Sequence, residues 1–269
     1  MTGQDPAAVR IDTSKPHPAR MYDWFLGGKD NYPVDEEMAK QLLTVDARGR
    51  DMARVNRAFM HRAIRWLAAN GVRQYLDIGT GIPTEPNLHQ IAQQVAPESR
   101  IVYCDNDPIV LAHAAALLRS TPEGATEYIQ ADAREPEAIL ERAGKVLDFE
   151  RPIALSMLAL LHFVGDEDGA YELVQKLVDK LPSGSYVVLS HVTGDFDPEG
   201  AAKATAMYKA RGLTLRLRSR DEIAPFFAGL EIVEPGVTLT ADWHPELGEP
   251  VPVAGDEPIP GWAAVARKP

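Results

Sequence analysis

The stretch Gln74–Pro83, QYLDIGTGIP, decides how the rest of the chain is read. Tyr75, Leu76 and Ile78 form a short apolar run carrying one acid, Asp77, and the run breaks at Gly79 and Gly81. A buried parallel strand that ends in a tight turn has this form. Glycine at both positions removes the Cβ atoms that would keep a ligand away, and it permits positive φ where the chain reverses. Ligands of open α/β sheets bind at the carboxyl ends of the strands, so this turn is the first candidate site. A glycine turn that binds nothing is the competing reading, and other signals are needed to displace it.

The chemistry of the turn separates two cofactor classes. A dinucleotide fingerprint has Gly or Ala three residues after its second glycine and rests a pyrophosphate on free helix amides. Here position 84 is Thr, and Pro83 and Pro86 have no amide hydrogen to donate. A loop so poor in donors suits a cofactor without phosphates. S-adenosylmethionine is one, with an ammonium and a sulfonium that Asp77 can serve directly or through water.

The next strand tips carry acids as well. Ile101–Cys104 ends in Asp105, Asn106 and Asp107, and Pro108 opens a helix for which Asp107 is the N-cap. Asp105, 24 residues beyond Gly81, is placed to accept both ribose hydroxyl protons. A third strand, Glu127–Gln130, leads into Ala131, Asp132 and Ala133. Asp132 is either an ordinary loop acid or the acceptor for an adenine amine. Together Asp77, Asp105 and Asp132 specify a nucleoside with an attached amine better than a dinucleotide phosphate. The most apolar strand, Pro152–Leu161, runs into His162, and a fifth, Ser185–Ser190, has His191 at its tip. Two imidazoles at adjacent strand ends face the cleft, either as structural hydrogen-bonded histidines or as bases that take a proton from a nucleophile. With no HExxH spacing, a metal site is poorly supported.

Composition sets the frame. The 269 residues, 45% hydrophobic and 25% charged, suit one α/β domain with an extension. A net charge of −11 opposes non-specific attraction to nucleic acid or anionic membrane. The single cysteine, Cys104, leaves neither an internal disulfide nor a cysteine zinc cluster. With no long apolar segment and no apolar signal core, the expected address is cytoplasmic. Residues 1–20 read as a surface arm. Met21, Tyr22, Trp24, Phe25 and Leu26 then form an apolar cluster that halts at Gly27 and Gly28 before Lys29, Asp30 and Asn31, as a packed cap or a lid. Residues 51–70 have the period of a long amphipathic helix, with Arg50, Arg54, Arg57, Arg62 and Arg65 on its other faces. Those arginines are a solvated face or an anion site. Asn56 and Arg57 are the pair singled out, because this helix feeds straight into the Gly79 strand. The proline-rich segment 238–261 is either a functional loop or mobile.

QYLDIGTGIP, VYCDNDP, IQADA and the fourth strand ending LLHF resemble the successive cofactor motifs of class I S-adenosylmethionine-dependent methyltransferases. With DTSKPHPARMYDWFLGGKDNYPVD and the VNRAFMHRAIRWLAANGVRQYLDIGTGIPT block added, the whole chain resembles an actinobacterial family of S-adenosyl methyltransferases. The resemblance implies a Rossmann-like, doubly wound, mostly parallel seven-stranded sheet over residues 71–269, with an N-terminal arm and helical cap over 1–70. It implies that Gly79, Thr80 and Gly81 pass under the methionine and ribose. Asp105, with Asn106 beside it, holds the ribose, and Asp132 and Ala133 meet the adenine, while Asp77 and Ser156 complete the cofactor set. Pro83 stands where many members have a third glycine. Ser156, Met157 and Leu158 replace the Asn-Pro-Pro-aromatic signature of many amino-group methyltransferases. The expected reaction moves a methyl group to a small-molecule acceptor and leaves S-adenosylhomocysteine. Tyr22, Asn31, Tyr32 and Arg57 are expected on the substrate side, and His162 or His191 as base. A protein that senses S-adenosylmethionine without methyl transfer, or an NAD(P)-dependent oxidoreductase, is the alternative.

Overall fold

The computed structural model describes residues 11–117 and 119–269, so most of the expected arm, residues 1–10, lies outside the described residues. Three helices, α1 (Pro18–Phe25), α2 (Pro33–Val45) and α3 (Gly49–Ala69), precede β1 (Gln74–Ile78). Strands and helices then alternate through α4 (Leu88–Val95), β2 (Arg100–Asp105), α5 (Pro108–Leu117), β3 (Ala125–Gln130), α6 (Pro136–Ala143) and β4 (Ala154–Leu158). They continue with α7 (Ala170–Lys180), β5 (Tyr186–Val192), α8 (Pro198–Ala210), α9 (Arg220–Ile223), β6 (Glu231–Ile232), β7 (Thr238–Leu239) and β8 (Gly261–Arg267).

The sheet runs β3-β2-β1-β4-β5-β8-β6, with the two-residue β7 pairing on β8 as an eighth strand. β1 to β5 are parallel, and β8 lies antiparallel between β5 and β6. Strand order reverses between β1 and β4, so the helices that follow them leave on opposite faces and open a crevice at the carboxyl ends. Every residue of β1 is buried, as a central parallel strand covered on both sides requires. One face packs Leu76, Val102, Leu155 and Leu189 under α6 and α7. The other packs Tyr75, Tyr103, Ala154 and Val265 under Phe59, Ile64 and Leu67 of α3 and Ile91 of α4.

That second core moves the boundary of the cap. α3, assigned with residues 1–70 from its sequence, is a covering helix of the sheet, and the cap consists of α1 and α2 docked on α8 through Met21, Met38, Ala39 and Tyr208. Arg20 likewise does not belong to a surface arm: it is 3% exposed, and its guanidinium donates to both oxygens of Asp107 at 2.8 and 3.2 Å. α2 went unread in the sequence although Pro33 opens it and Asp35 closes a capping box on Tyr32. Of the arginines of α3, Arg50, Arg54 and Arg65 are exposed, as expected of a solvated face, while Arg62 is buried. Arg57, Arg62 and Arg65 donate to backbone carbonyls of neighbouring loops, Arg62 to Trp243 at 2.8 Å and to Thr240 at 2.6 Å. These bonds and the fully buried Trp243, edge-on to Phe59, pin the first part of the 238–261 segment, residues 240–247, to α3, while residues 252–258 are exposed. Among the described residues no helix is long and apolar enough to cross a membrane, and no group of three His, Cys, Asp or Glu could hold a metal ion.

Candidate active site

The glycine turn is built as its composition demands. Gly79 and Gly81 have φ of +76° and +68°, the left-handed region where a side chain is strained. A Cβ on Gly79 would lie 2.7 Å from Leu160 Cδ1. The turn's amides are already engaged: Gly79 and Thr80 donate to the Cys104 carbonyl at 2.8 and 3.1 Å, and Gly81 to Asp105 Oδ2 at 2.8 Å. Arg57 holds the carbonyls of Thr84 and Pro86 just beyond. The amides of Gly79, Thr80 and Gly81 are thus not free for a pyrophosphate, which weighs against the oxidoreductase alternative.

A cavity of about 560 Å³ opens above the turn, within the range of roughly 300–1,000 Å³ usual for ligand sites. Asp77, Gly79, Thr80, Gly81, Asp105, Asn106, Asp132 and Ala133 all line it, so the three acids from three strand tips share one space. Their states differ. Burial pushes the Asp77 carboxyl up to about 6, with the nearby Ser156 and Thr80 hydroxyls and Arg57 offsetting part of the effect. Asp105 is also raised by burial, while its oxygens accept the Gly81 amide and, at 2.9 Å, the Asp107 amide. Each oxygen keeps a lone pair for a hydroxyl donor. Asp132 is held below the usual range by Arg134, which grips both its oxygens at 2.9 and 2.7 Å. An adenine amine would have to share that carboxylate with Arg134, which the sequence did not foretell.

Several expected side chains serve the scaffold instead. Ser156 is fully buried at the register position beside Asp77, beneath the turn. Asn31 does not line the cavity; it ties the loop after α1, donating to Asp23 Oδ2 at 2.8 Å and to the Gly28 carbonyl. Tyr32 packs with Ile82, Ile109 and Val110 under the Arg20 guanidinium, away from the cavity. Tyr22 does line it, with its hydroxyl donating to the Ala53 carbonyl at 3.0 Å and accepting from Asn56 at 2.9 Å, and Asn56 in turn accepts from Ser190. Arg57 lines the cavity with its charge given to loop carbonyls.

The histidines separate. β5 extends past Ser190, so His191 lies within the strand, not at its tip. Arg218 can only donate, and its Nη1 stands 3.1 Å from His191 Nε2, which fixes the tautomer: Nδ1 carries the hydrogen and donates to the Val192 carbonyl at 2.7 Å. Burial, reinforced by the charges of Arg218 and Arg216, pushes this imidazole down to about 3. His191 has no free lone pair and is corrected from candidate base to support. His162 follows a sharp bend at Ala159 (φ +51°), where β4 ends at Leu158 and gives way to a 3-10 turn, Leu161–Phe163. It lines the cavity, 4% exposed, and its Nδ1 has no hydrogen-bond partner. Burial and the neighbouring His191 and Arg218 hold it well below the usual imidazole range, so it is neutral.

Arg218 is the residue that sequence reasoning missed most completely. It is fully buried against the stacked rings of Tyr171 and Phe226, and it donates to the Leu161 and Val164 carbonyls at 2.8 and 3.0 Å and to Asp166. Its bonds bracket His162. In the stretch TLRLRSR it is one charged residue among several, and no local signal marks it as interior.

A doubly wound sheet with a donor-poor glycine turn and a ribose-competent acid at the second strand tip defines the class I S-adenosylmethionine-dependent methyltransferases. The chain belongs to the S-adenosyl methyltransferase family, whose model matches residues 4–269. It is similar to a DUF574 family protein from Streptomyces avermitilis, at 48% identity and a TM-score of 0.91 over 97% of this chain and 100% of that one. A putative methyltransferase from Thermobifida fusca is 35% identical, with a TM-score of 0.86 over 98% of this chain and 99% of that one. No match was found among curated proteins.

Proposed function

We propose that this methyltransferase acts on a small molecule held between the cap and the β-strand tips, with Asp105 binding the ribose hydroxyls and Asp77 serving the cofactor's charged end. The observation that carries the reading is one cavity lined by the glycine turn, Asp77, Asp105 and the cap residues Met21 and Tyr22 together. S-adenosylmethionine supplies a methyl carbon already activated on a sulfonium. The chain's own part is alignment at near-attack distance and exclusion of water. The cap helices cover the cavity, which suits this task. His162 is the group available to accept a proton, while Tyr22 and Arg57 shape the substrate side. The apolar seam of the cap and the cavity's size support a small acceptor rather than a macromolecule.

Calorimetric titration checks the cofactor half: S-adenosylmethionine is expected to bind and NADH not to. Incubation with a metabolite extract should then release S-adenosylhomocysteine. In Gly79→Ala the added carbon meets Leu160 at a left-handed φ, a strain of about 1–3 kcal/mol, and the cofactor is expected to bind at least tenfold more weakly. Equal affinity in that variant, or NADH binding more tightly than S-adenosylmethionine, would sink the proposal.

A further inference from the structure

We infer that the methyl acceptor is an uncharged, apolar molecule bearing a hydroxyl of the phenol or enol kind, seated between the cap and α8 with that hydroxyl at His162. The inference rests on the cavity being the methyl-transfer site, and it names what enters the half that the cofactor leaves.

That half is apolar by construction. Met21, Phe25, Leu42, Phe163, Tyr208 and Leu213 line it, all drawn from the small core that joins α1, α2 and α8. The charged side chains at this end each have a protein partner already. Arg57 sits on the Pro86 carbonyl at 2.7 Å, Arg48 is paired with Asp46 at 2.8 Å, and Asp197 caps α8 through the Gly200 amide at 2.9 Å. An ion placed among them would lose its water and have to compete with those partners for a single opposite charge, Arg57 for an anion or Asp197 for a cation, which is unfavourable. Of the neutral polar groups, Tyr22 sits between Ala53 and Asn56 and Ser190 on Asn56, while the hydroxyls of Tyr208 and Thr214 line the cavity without a hydrogen bond.

Among the imidazoles that line the cavity, His162 is the one without a hydrogen bond. Its ring lies 4.2 Å from that of Phe163 and 5.3 Å from that of His191, centroid to centroid, lines the cavity and is left with an unbonded nitrogen. Buried polar side chains are mostly satisfied. Nδ1 is closed off within the protein, so a partner from the cavity must come to Nε2, for which the structure also shows no hydrogen bond. A neutral imidazole pairs with a hydroxyl and adds no charge beside a sulfonium. In the transfer, the acceptor oxygen bonds to the methyl carbon as the carbon–sulfur bond breaks. The electron pair of that bond stays on sulfur as the neutral thioether, and the hydroxyl proton passes to His162, whose imidazolium then releases it to solvent.

Three probes of one shape test this: 2-naphthol, 2-naphthoate and 2-naphthylmethylammonium, titrated into the full chain preloaded with S-adenosylhomocysteine. The naphthol is expected to bind at least tenfold more tightly than either ion, and with S-adenosylmethionine to yield its methyl ether. His162→Phe, which keeps a ring of similar size, should retain cofactor affinity and slow ether formation by about 10²–10⁴-fold. Equal or tighter binding of either ion, or no naphthol binding by a protein that does bind the cofactor, overturns the inference alone. Ether formed at an undiminished rate by the Phe variant overturns the hydroxyl's placement. If neither S-adenosylmethionine nor S-adenosylhomocysteine binds, it is the underlying functional reading that falls.

Discussion

At the residue scale, the buried histidines set the acid limit of the fold. His191 is neutral in both folded and unfolded chains above pH 6.5. As pH falls from there towards about 3, the unfolded chain takes up a proton that the folded one refuses, and stability is lost across that window. His61, pushed down to about 4 by burial and Arg57, acts with the same sign. Asp77 opposes them: raised to about 6, it favours the fold in its protonated form, and that contribution is lost as pH rises from 3.8 through 6. Each group can contribute at most about 1.4 kcal/mol per pH unit. The lowered histidines, His61, His89, His162 and His191, outweigh the raised acids, Asp23, Asp77 and Asp105, so the melting temperature is expected to fall between pH 6.5 and 4.5, and His191→Gln, which can still bond Val192 and Arg218, should show a shallower fall. An unchanged slope in that variant would remove His191 from the account. The candidate residues were legible where backbone demanded them. Gly79, Gly81 and Asp105 announce themselves by strand, turn and spacing. The engagement of Asp132 by Arg134, and of both His191 nitrogens, depends on rotamers and on Arg218 arriving from 27 residues away, which no spacing encodes.

At the element scale, the parallel strands were legible because central strands buried on both faces read as unbroken apolar runs. β4 was read too long for the same reason: Leu160 and Leu161 continue its apolar character past the point at Ala159 where the backbone leaves the strand. α2 lay hidden because its pattern is mixed and its stability comes from docking on α8. The turn that carries His162 has few bonds of its own, and Arg218 supplies the donors for the carbonyls on either side of it. Arg218→Met keeps the stem but leaves the Leu161 and Val164 carbonyls unsatisfied. The expected loss is about 2–4 kcal/mol, read as a lower denaturant midpoint at unchanged slope. A variant as stable as the parent would show that solvent or a shifted loop replaces those donors.

At the scale of the whole molecule, cap and cofactor turn are joined by an unbroken path. Arg20 of α1 grips Asp107, the Asp107 amide donates to Asp105, and Asp105 accepts from Gly81. Arg20→Met cuts the path at its outer end and leaves Asp107 buried without its cation. Amides of residues 18–45 are expected to exchange at least tenfold faster, with the strands unaffected, and hydrogen-exchange mass spectrometry reads this directly. Protection equal to the parent's would mean that the apolar seam on α8 suffices to hold the cap. If the path carries force, thermodynamic linkage makes it run both ways. An acceptor that tightens the outer helices must then also raise affinity for the nucleoside, by the same factor as the nucleoside raises affinity for it. A chain whose strand-tip carboxylate also helps anchor its cover thereby favours the ternary assembly over either half-filled one.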